Sequence, residues 1–375
     1  MKTNNLFEEI KLEDNERSEI EIKDPATKLV IENIDFGHTD TLIEYFSPTG
    51  SIGIISTRRN PKINVVEVVT NIRDFEAVSE NLKNNQVKHG QVLYPNQINE
   101  IGKNFDIAII RTILEKRKKL IIDTSLRAMS QLKPDGYLLI VGAKKEGVQS
   151  VSKHISKLTS STSETMAFKH GIHLIRLKKP DDYAYQNLNQ ESIFNKFEVR
   201  GLEIDLKLDE RVFAKGKLDP ATKLLIENVE VEDGSKILDL GCGSGVIGIA
   251  ISKLGKNIDV TYVDDDYAAT EVTKDNLIKN NSENFAVFLS NEFDKIKERK
   301  FDLIVSNPPF HLGKQTSKIV ASEFIKKSYF SLSPNGKIYI VCNAFLPYEK
   351  SIKNIFGNCE IVARTPAYKL LMAKK

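Results

Sequence analysis

Short apolar runs, each closed by a glycine or a polar turn, set the rhythm of the second half of the chain. Lys236-Ile237-Leu238-Asp239-Leu240 reads as a strand and runs straight into Gly241-Cys242-Gly243-Ser244-Gly245. Val246-Ile247-Gly248-Ile249-Ala250-Ile251 follows at helical spacing. Further runs over 258–263, 285–289 and 301–306 have the continuity of strands buried on both faces of a parallel sheet. Phe197 to Leu208 alternates as a hairpin does. Pro180 to Asn195 is polar, with three Asn and two Gln, and reads as a linker.

The same pattern occurs earlier in the chain. Asp24-Pro25-Ala26-Thr27-Lys28-Leu29 returns as Asp219-Pro220-Ala221-Thr222-Lys223-Leu224, an offset of 195. Gly50 and Gly53 stand opposite Gly245 and Gly248 at that offset. Phe105-Asp106-Ile107 matches Phe301-Asp302-Leu303, and Leu132-Lys133-Pro134-Asp135-Gly136 matches Leu332-Ser333-Pro334-Asn335-Gly336. So long a period means a duplicated domain, since solenoid repeats run about 20–50 residues.

A strand, a glycine-rich turn and a helix make a nucleotide-cofactor site. Glycine lets the backbone bend sharply and a ligand approach the main chain, and the helix start offers N–H groups to a carboxylate or phosphate. No Gly-Lys-Ser/Thr closes the turn, which excludes a P-loop. Gly243, Gly245 and Gly248 have dinucleotide spacing. Asp239, two residues before the first glycine, suits an ammonium group better than a pyrophosphate. A nucleoside bearing an amino acid, S-adenosylmethionine, fits this turn. Asp264, after the next strand, is placed for ribose hydroxyls. Asp265 and Asp266 share that position, or cap the following helix. Asn291, after the run 285–289, stands where a polar group reaches an adenine amine.

Asn307-Pro308-Pro309-Phe310 closes the run 301–306, at the strand end where open α/β sheets bind ligands. Two prolines remove two N–H donors, so this loop presents carbonyls. The Asn307 amide oxygen and the Pro308 carbonyl form a pincer for a planar –NH2 group, and Phe310 offers a face for stacking. An exocyclic amine or an amide nitrogen suits the site. Adenine N6, a protein glutamine amide and a silent RNA-binding assembly factor remain open on these residues. A nicotinamide dehydrogenase leaves Asn-Pro-Pro-Phe without a purpose.

Asp239-Leu240-Gly241-Cys242-Gly243-Ser244-Gly245 with Asn307-Pro308-Pro309-Phe310 resembles class I S-adenosylmethionine-dependent methyltransferases acting on amino or amide nitrogens. A longer set resembles the ribosomal RNA (guanine-N2)-methyltransferases of the small-subunit, 16S type, over about residues 197–375. It comprises Val212-Phe213, Leu218-Asp219, Thr222, Phe310-His311-Leu312-Gly313, Gln315-Thr316 and Asn343-Ala344-Phe345-Leu346-Pro347-Tyr348-Glu349. Ala221 and Lys215-Gly216-Lys217 depart from that family, which often has Gly and Arg or Ser there. The resemblance implies a seven-stranded sheet with an antiparallel last strand, which Tyr368 to Ala373 supplies. It implies that Phe213, Lys217 and Thr222 border the cofactor. Asp239, Gly241, Cys242, Gly243, Gly245, Asp264 and Asp265 then hold S-adenosylmethionine. Asn307 and Pro308 orient the target nitrogen, and the partner is ribosomal RNA or a ribosomal subunit.

The fold class that follows is α/β: two tandem Rossmann-like class I methyltransferase domains, the first degenerate and the second catalytic. Residues 1–22 form an acidic lead-in, 23–180 the degenerate domain, 181–196 the linker and 197–375 the catalytic domain. In the first copy Glu44-Tyr45-Phe46-Ser47-Pro48-Thr49-Gly50 replaces the glycine turn, Val69 stands opposite Asp264, and Arg111-Thr112-Ile113-Leu114 stands at the acceptor motif. That copy holds RNA or stabilises its neighbour.

Composition narrows the remaining choices. A chain of 375 residues has room for two full cores. No apolar run reaches membrane-helix length, and the start is no secretory signal. Three cysteines without a Cys-x-x-Cys pair fit a reducing cytoplasm and argue against disulfides and a metal site. Net charge is only +3, but residues 101–180 hold 16 Lys/Arg against 6 Asp/Glu, and residues 301–375 hold 11 against 4. Basic surface in those stretches attracts phosphates.

Overall fold

The computed structural model describes residues 24–102, 104–112, 117–185, 193–308 and 315–375, without the side chains of 99, 100 and 315–321. The acidic lead-in, Pro309, Phe310, His311, Leu312 and Gly313 lie outside the described residues. Two compact units divide the chain, Met1–Asn189 and Gln190–Lys375.

In the first unit, α1 (Pro25–Asn33) precedes β1 (Thr41–Tyr45), α2 (Ser51–Arg59), β2 (Asn64–Val68), α3 (Ile72–Asn84) and β3 (Gly90–Leu93). After these come β4 (Phe105–Arg111), α4 (Lys118–Gln131), β5 (Leu132–Ala143), α5 (Val148–Thr159), β6 (Ser163–Lys169) and β7 (Ile172–Lys178). The seven strands lie in the order β3-β2-β1-β4-β5-β7-β6. The first five are parallel, and β7 enters antiparallel to β5.

The second unit opens on a hairpin, β8 (Phe194–Val199) and β9 (Leu202–Lys207). Pairing starts at Phe194, inside the stretch read as linker, because Phe194 to Val199 face Leu202 to Lys207 residue by residue. The unit continues with α6 (Pro220–Asn228), β10 (Lys236–Leu240), α7 (Val246–Ser252), β11 (Asp259–Asp264), α8 (Tyr267–Lys279) and β12 (Phe285–Leu289). Then come β13 (Phe301–Ser306), α9 (Gln315–Ser331), β14 (Leu332–Asn343), α10 (Tyr348–Phe356), β15 (Glu360–Arg364) and β16 (Tyr368–Lys374). Strand order is β12-β11-β10-β13-β14-β16-β15, the order of the first unit, with β16 antiparallel to β14.

Period-two alternation explains why each sheet is covered on both sides. Ile237, Leu303, Val305, Tyr339 and Val341 pack on one face of the second sheet. Leu238, Leu240, Ile304, Ile338 and Ile340 pack on the other. The first unit divides Leu42, Ile107 and Ile109 from Ile43, Ala108 and Ile110 in the same way. Both α1 and α6 start from an aspartate cap followed by proline, a combination that satisfies free N–H groups and pre-sets φ.

Candidate active site

Crossing order in the second sheet brings the two chemical segments together. β10 and β13 are parallel neighbours, so the turn after Leu240 and the residues after Ser306 leave the same edge side by side. Ser306 Oγ donates to the Leu240 carbonyl at 2.6 Å and ties the two strand ends together.

The glycine turn is held from three sides. Gly241 and Cys242 N–H both donate to the Val263 carbonyl at 2.8 and 3.0 Å. Gly243 N–H donates to Asp264 Oδ2 at 2.8 Å. From α8, Thr273 Oγ1 donates to the Gly243 carbonyl at 3.1 Å and Asn276 Nδ2 to the Ser244 carbonyl at 2.8 Å. Gly241 and Gly243 adopt φ of +72° and +58°, and a Cβ on either would meet nothing within 4 Å. Side chains would fit there sterically, yet the backbone conformation favours glycine and leaves the turn bare.

Asp239, expected to meet an ammonium group, stands in β10 two residues before the turn. The residue is fully buried beneath the turn, and its Oδ2 accepts from Gly248 N–H at 2.9 Å. Gly248 must lack a side chain, because a Cβ there would come within 2.3 Å of the Tyr262 ring. Asp239 Oδ1 has no hydrogen-bond partner among the described residues. Burial pushes its carboxyl up to about 8, against the pull of the Gly248 N–H and with a further push from Asp264. α7 is only seven residues long, and with Gly248 N–H taken by Asp239 its start is a smaller anion site than the sequence implied.

Asp264 is the last residue of β11, one later than the run 258–263 suggests, and is half-buried. Its Oδ1 accepts from Asp266 N–H at 2.9 Å. Burial, then the Asp265 charge, pushes Asp264 up to about 7, while the N–H bonds from Asp266 and Gly243 oppose them. The capping role falls to Asp266, which accepts from Ala268 and Ala269 N–H. Asp265 and Asn291 stand half-buried at the ends of β11 and β12, which pair through Asp264 and Leu289. Phe213 is 59% exposed in a tight turn over Phe213–Gly216, where Ala214 and Lys215 take φ of 61° and 51°. Val212 anchors that turn against Ala269 and Val272 of α8, and Lys217 is exposed.

Asn307 is half-buried and Pro308 is buried. Asn307 Nδ2 donates to Asp219 Oδ2 at 3.2 Å and to Thr222 Oγ1 at 3.0 Å. Thr222, placed beside the cofactor by resemblance, thus touches the acceptor residue. Among the described residues no group of three or more His, Cys, Asp or Glu is arranged to hold a metal ion.

The first unit repeats this framework with the chemistry replaced. Arg111 is the last residue of β4, at the strand end that Asn307 follows in the second unit, and its guanidinium fills the matching space at 1% exposure. It donates to Asp24 Oδ2 at 2.5 Å, Thr27 Oγ1 at 3.2 Å and Glu44 Oε1 at 3.5 Å. Tyr45 and Phe46 are buried, Phe46 at a φ of +65° where the second unit has Gly241. Val69, opposite Asp264, is buried as well.

Sequence reasoning missed Thr273, Asn276 and the part Asp219 plays. Uncharged polar residues three apart at 270, 273 and 276 on one helix were the available signal, and the structure buries all three.

An antiparallel seventh strand beside five parallel ones, with a glycine turn and Asn-Pro at adjacent strand ends, defines a class I methyltransferase. The chain belongs to the methyltransferase small domain family, whose model matches residues 18–170 and 203–372. It is 30% identical over 304 residues to a "Ribosomal RNA small subunit methyltransferase C" of Salmonella gallinarum, covering 79% of this chain and 86% of that one. The protein of the same name from Escherichia coli K12 is 33% identical over 236 residues, 63% of this chain and 66% of that one. In fold the chain is similar to the T. thermophilus 16S rRNA N2 methyltransferase solved with AdoMet and guanosine. That likeness has a TM-score of 0.79 at 22% identity and covers 94% of this chain and 92% of that one.

Proposed function

We propose that this chain transfers a methyl group from S-adenosylmethionine to the exocyclic N2 nitrogen of a guanine in small-subunit ribosomal RNA. The observation that carries the reading is the Asn307 amide, fixed at the end of β13 beside buried Pro308 and next to a bare glycine turn. The names of the relatives point to the RNA.

The residues present fit the cofactor. The turn leaves open space above Gly241 and Gly243, and Asp239 Oδ1 is a buried carboxylate oxygen without a partner among the described residues. When bound, S-adenosylmethionine supplies an electrophilic sulfonium methyl. Backbone of Gly241, Cys242, Gly243 and Gly245 would cradle it, Asp264 and Asp265 would take the ribose hydroxyls, and Asn291 the adenine edge. Phe213, Lys217 and Thr222 would border it, and Asp239 would brace the turn through Oδ2 and leave Oδ1 for the ammonium group.

A guanine N2 amine is a poor nucleophile because its lone pair is shared with the ring. Asn307 Oδ1 and the Pro308 carbonyl accept its two hydrogens, draw the nitrogen toward tetrahedral and aim the lone pair. Pro309 has no N–H to compete with the amine, and Phe310 would offer its ring to the base. Catalysis is then orientation and preorganised polar contact, with no general base required before the product proton leaves to water. The base must be unpaired or flipped out to enter. Exposed lysines of the first unit, Lys118, Lys119, Lys144 and Lys145, add salt-dependent attraction to phosphates.

Among the described residues no helix is long and apolar enough to cross a membrane. The cysteines are free, Cys242 and Cys342 buried. We place the reaction in the cytoplasm, where the ribosomal substrate is made. The test incubates the protein with tritiated S-adenosylmethionine and either small-subunit particles or naked small-subunit RNA. Label should enter RNA, and Asn307→Ala should lower the rate by about 100-fold or more. No transfer to RNA by the parent protein, or an unchanged rate in Asn307→Ala, rejects the reading.

A further inference from the structure

We infer that Asp219 is a positioning residue that sets which end of the Asn307 amide faces the substrate. The inference rests on the proposed role of Asn307 as acceptor for the target amine. An amide has a donor end and an acceptor end of nearly equal shape, and only the acceptor end can take hydrogens from an amine. Nothing in the shape of Asn307 chooses between them. A neighbour of fixed polarity must.

Asp219 is that neighbour. An ionised carboxylate only accepts, so Asp219 Oδ2, 3.2 Å from Asn307, admits the –NH2 end and rejects the oxygen. Thr222 Oγ1 takes the second N–H at 3.0 Å. With both hydrogens engaged, Oδ1 is turned away from Asp219 and left to accept. Asp219 is itself immobilised, because the same Oδ2 receives Ala221 N–H at 3.0 Å and Thr222 N–H at 3.1 Å as the cap of α6. Flipping the amide would set oxygen against carboxylate, with no hydrogen between them.

The first unit supports this from independent residues. Asp24 caps α1 through Ala26 and Thr27 N–H, and with Thr27 Oγ1 receives a nitrogen donor, the Arg111 guanidinium. Both units therefore carry the same Asp-Thr cradle, and in both it receives N–H from a side chain at the carboxyl end of the fourth strand of the sheet, Arg111 as its last residue and Asn307 as the next one on. Arginine has donors only and leaves nothing that accepts. Asparagine at the same station leaves one carbonyl oxygen facing out. The cradle thus converts a residue of mixed polarity into a pure acceptor.

A graded series tests this. Asp219→Asn keeps an oxygen at the cap, held there by the Ala221 and Thr222 N–H groups, and so still accepts from Asn307. Asp219→Ser also caps the helix, but its shorter side chain falls short of Asn307 and lets the amide flip. Asn307→Asp sets carboxylate against carboxylate. Single-turnover transfer to small-subunit particles should fall about 10- to 100-fold in Asp219→Ser and in Asn307→Asp and be rescued to within about threefold of the parent in Asp219→Asn, with S-adenosylmethionine affinity by calorimetry within about threefold throughout. Hydrogen exchange of the 15N-labelled Asn307 side-chain amide, read without any substrate, should be slower in the parent than in Asp219→Ser. Equal exchange in the two, a wild-type rate in Asp219→Ser, or an Asp219→Asn no faster than Asp219→Ser overturns the inference. A protected amide in a parent protein that transfers nothing to RNA sinks the functional reading alone.

Discussion

Replacing Arg111 by alanine should unfold the first unit far more readily than it disturbs the second. Arg111 is 1% exposed between Asp24 and Glu44, and Glu44 is wholly buried. Removing the guanidinium leaves two carboxylates in low dielectric without their cation. Breaking a buried ion pair from one side costs about 3–5 kcal/mol, much of it the price of the stranded charge. For a unit of this size each kcal/mol moves the midpoint by about 2–4 °C, so a fall of roughly 10 °C is expected. The chain has no Trp, so urea unfolding is best followed by far-UV circular dichroism, with hydrogen exchange to assign the transition. Protection should be lost in β1, β4 and β5 while β10 and β13 keep theirs. Replacing all three charged groups together, Arg111→Met with Asp24→Asn and Glu44→Gln, should recover most of the loss, because no charge is then stranded. A loss below about 1 kcal/mol in Arg111→Ala, or a transition that shifts in the second unit instead, would refute the reasoning.

Two further outcomes concern the second unit. Asp239 has its folded carboxyl raised from 3.8 to about 8, so its contribution is full below about pH 4 and is lost as pH climbs through 8, by at most on the order of 5 kcal/mol. Asp239→Asn keeps an acceptor for Gly248 N–H and should flatten the fall in urea stability between pH 4 and 8, leaving the smaller part due to Asp264; an unchanged slope would contradict the assignment. Asp264→Ala removes the partner of Gly243 N–H and the ribose acceptor, and calorimetry should show S-adenosylmethionine binding about tenfold or more weaker, the worth of a hydrogen bond to a charged group. Undiminished affinity would remove Asp264 from the cofactor site.

Much of this fold was legible because buried parallel strands write themselves as continuous apolar runs. The runs 236–240, 285–289 and 301–306 are strands with those bounds, and the offset repeat became two sheets of one strand order. The run ending at Val263 was one residue short, since Asp264 still pairs with Leu289 while its side chain turns to the glycine loop. What stayed hidden depended on groups distant in sequence meeting in space. Arg111 reads as a lost motif, and only the fold brings it to Glu44 and Asp24, 67 and 87 positions away. The spacing of Asp239 from Gly241 was visible, whereas its burial, its bond from Gly248 N–H and its register with Tyr262 were not. Asp219 entered only through the family resemblance, and the structure makes it the cap of α6. That one cap oxygen also binds an amide 88 positions away is a property of the sheet order.

The most direct measurement gives the protein S-adenosylmethionine with a deuterated methyl group and small-subunit particles, then digests the RNA to nucleosides and the protein to peptides for mass spectrometry. The account predicts the heavy methyl in N2-methylguanosine, at a level that tracks enzyme and time. Heavy methyl in N6-methyladenosine, in protein glutamine, or in no product at all would contradict it.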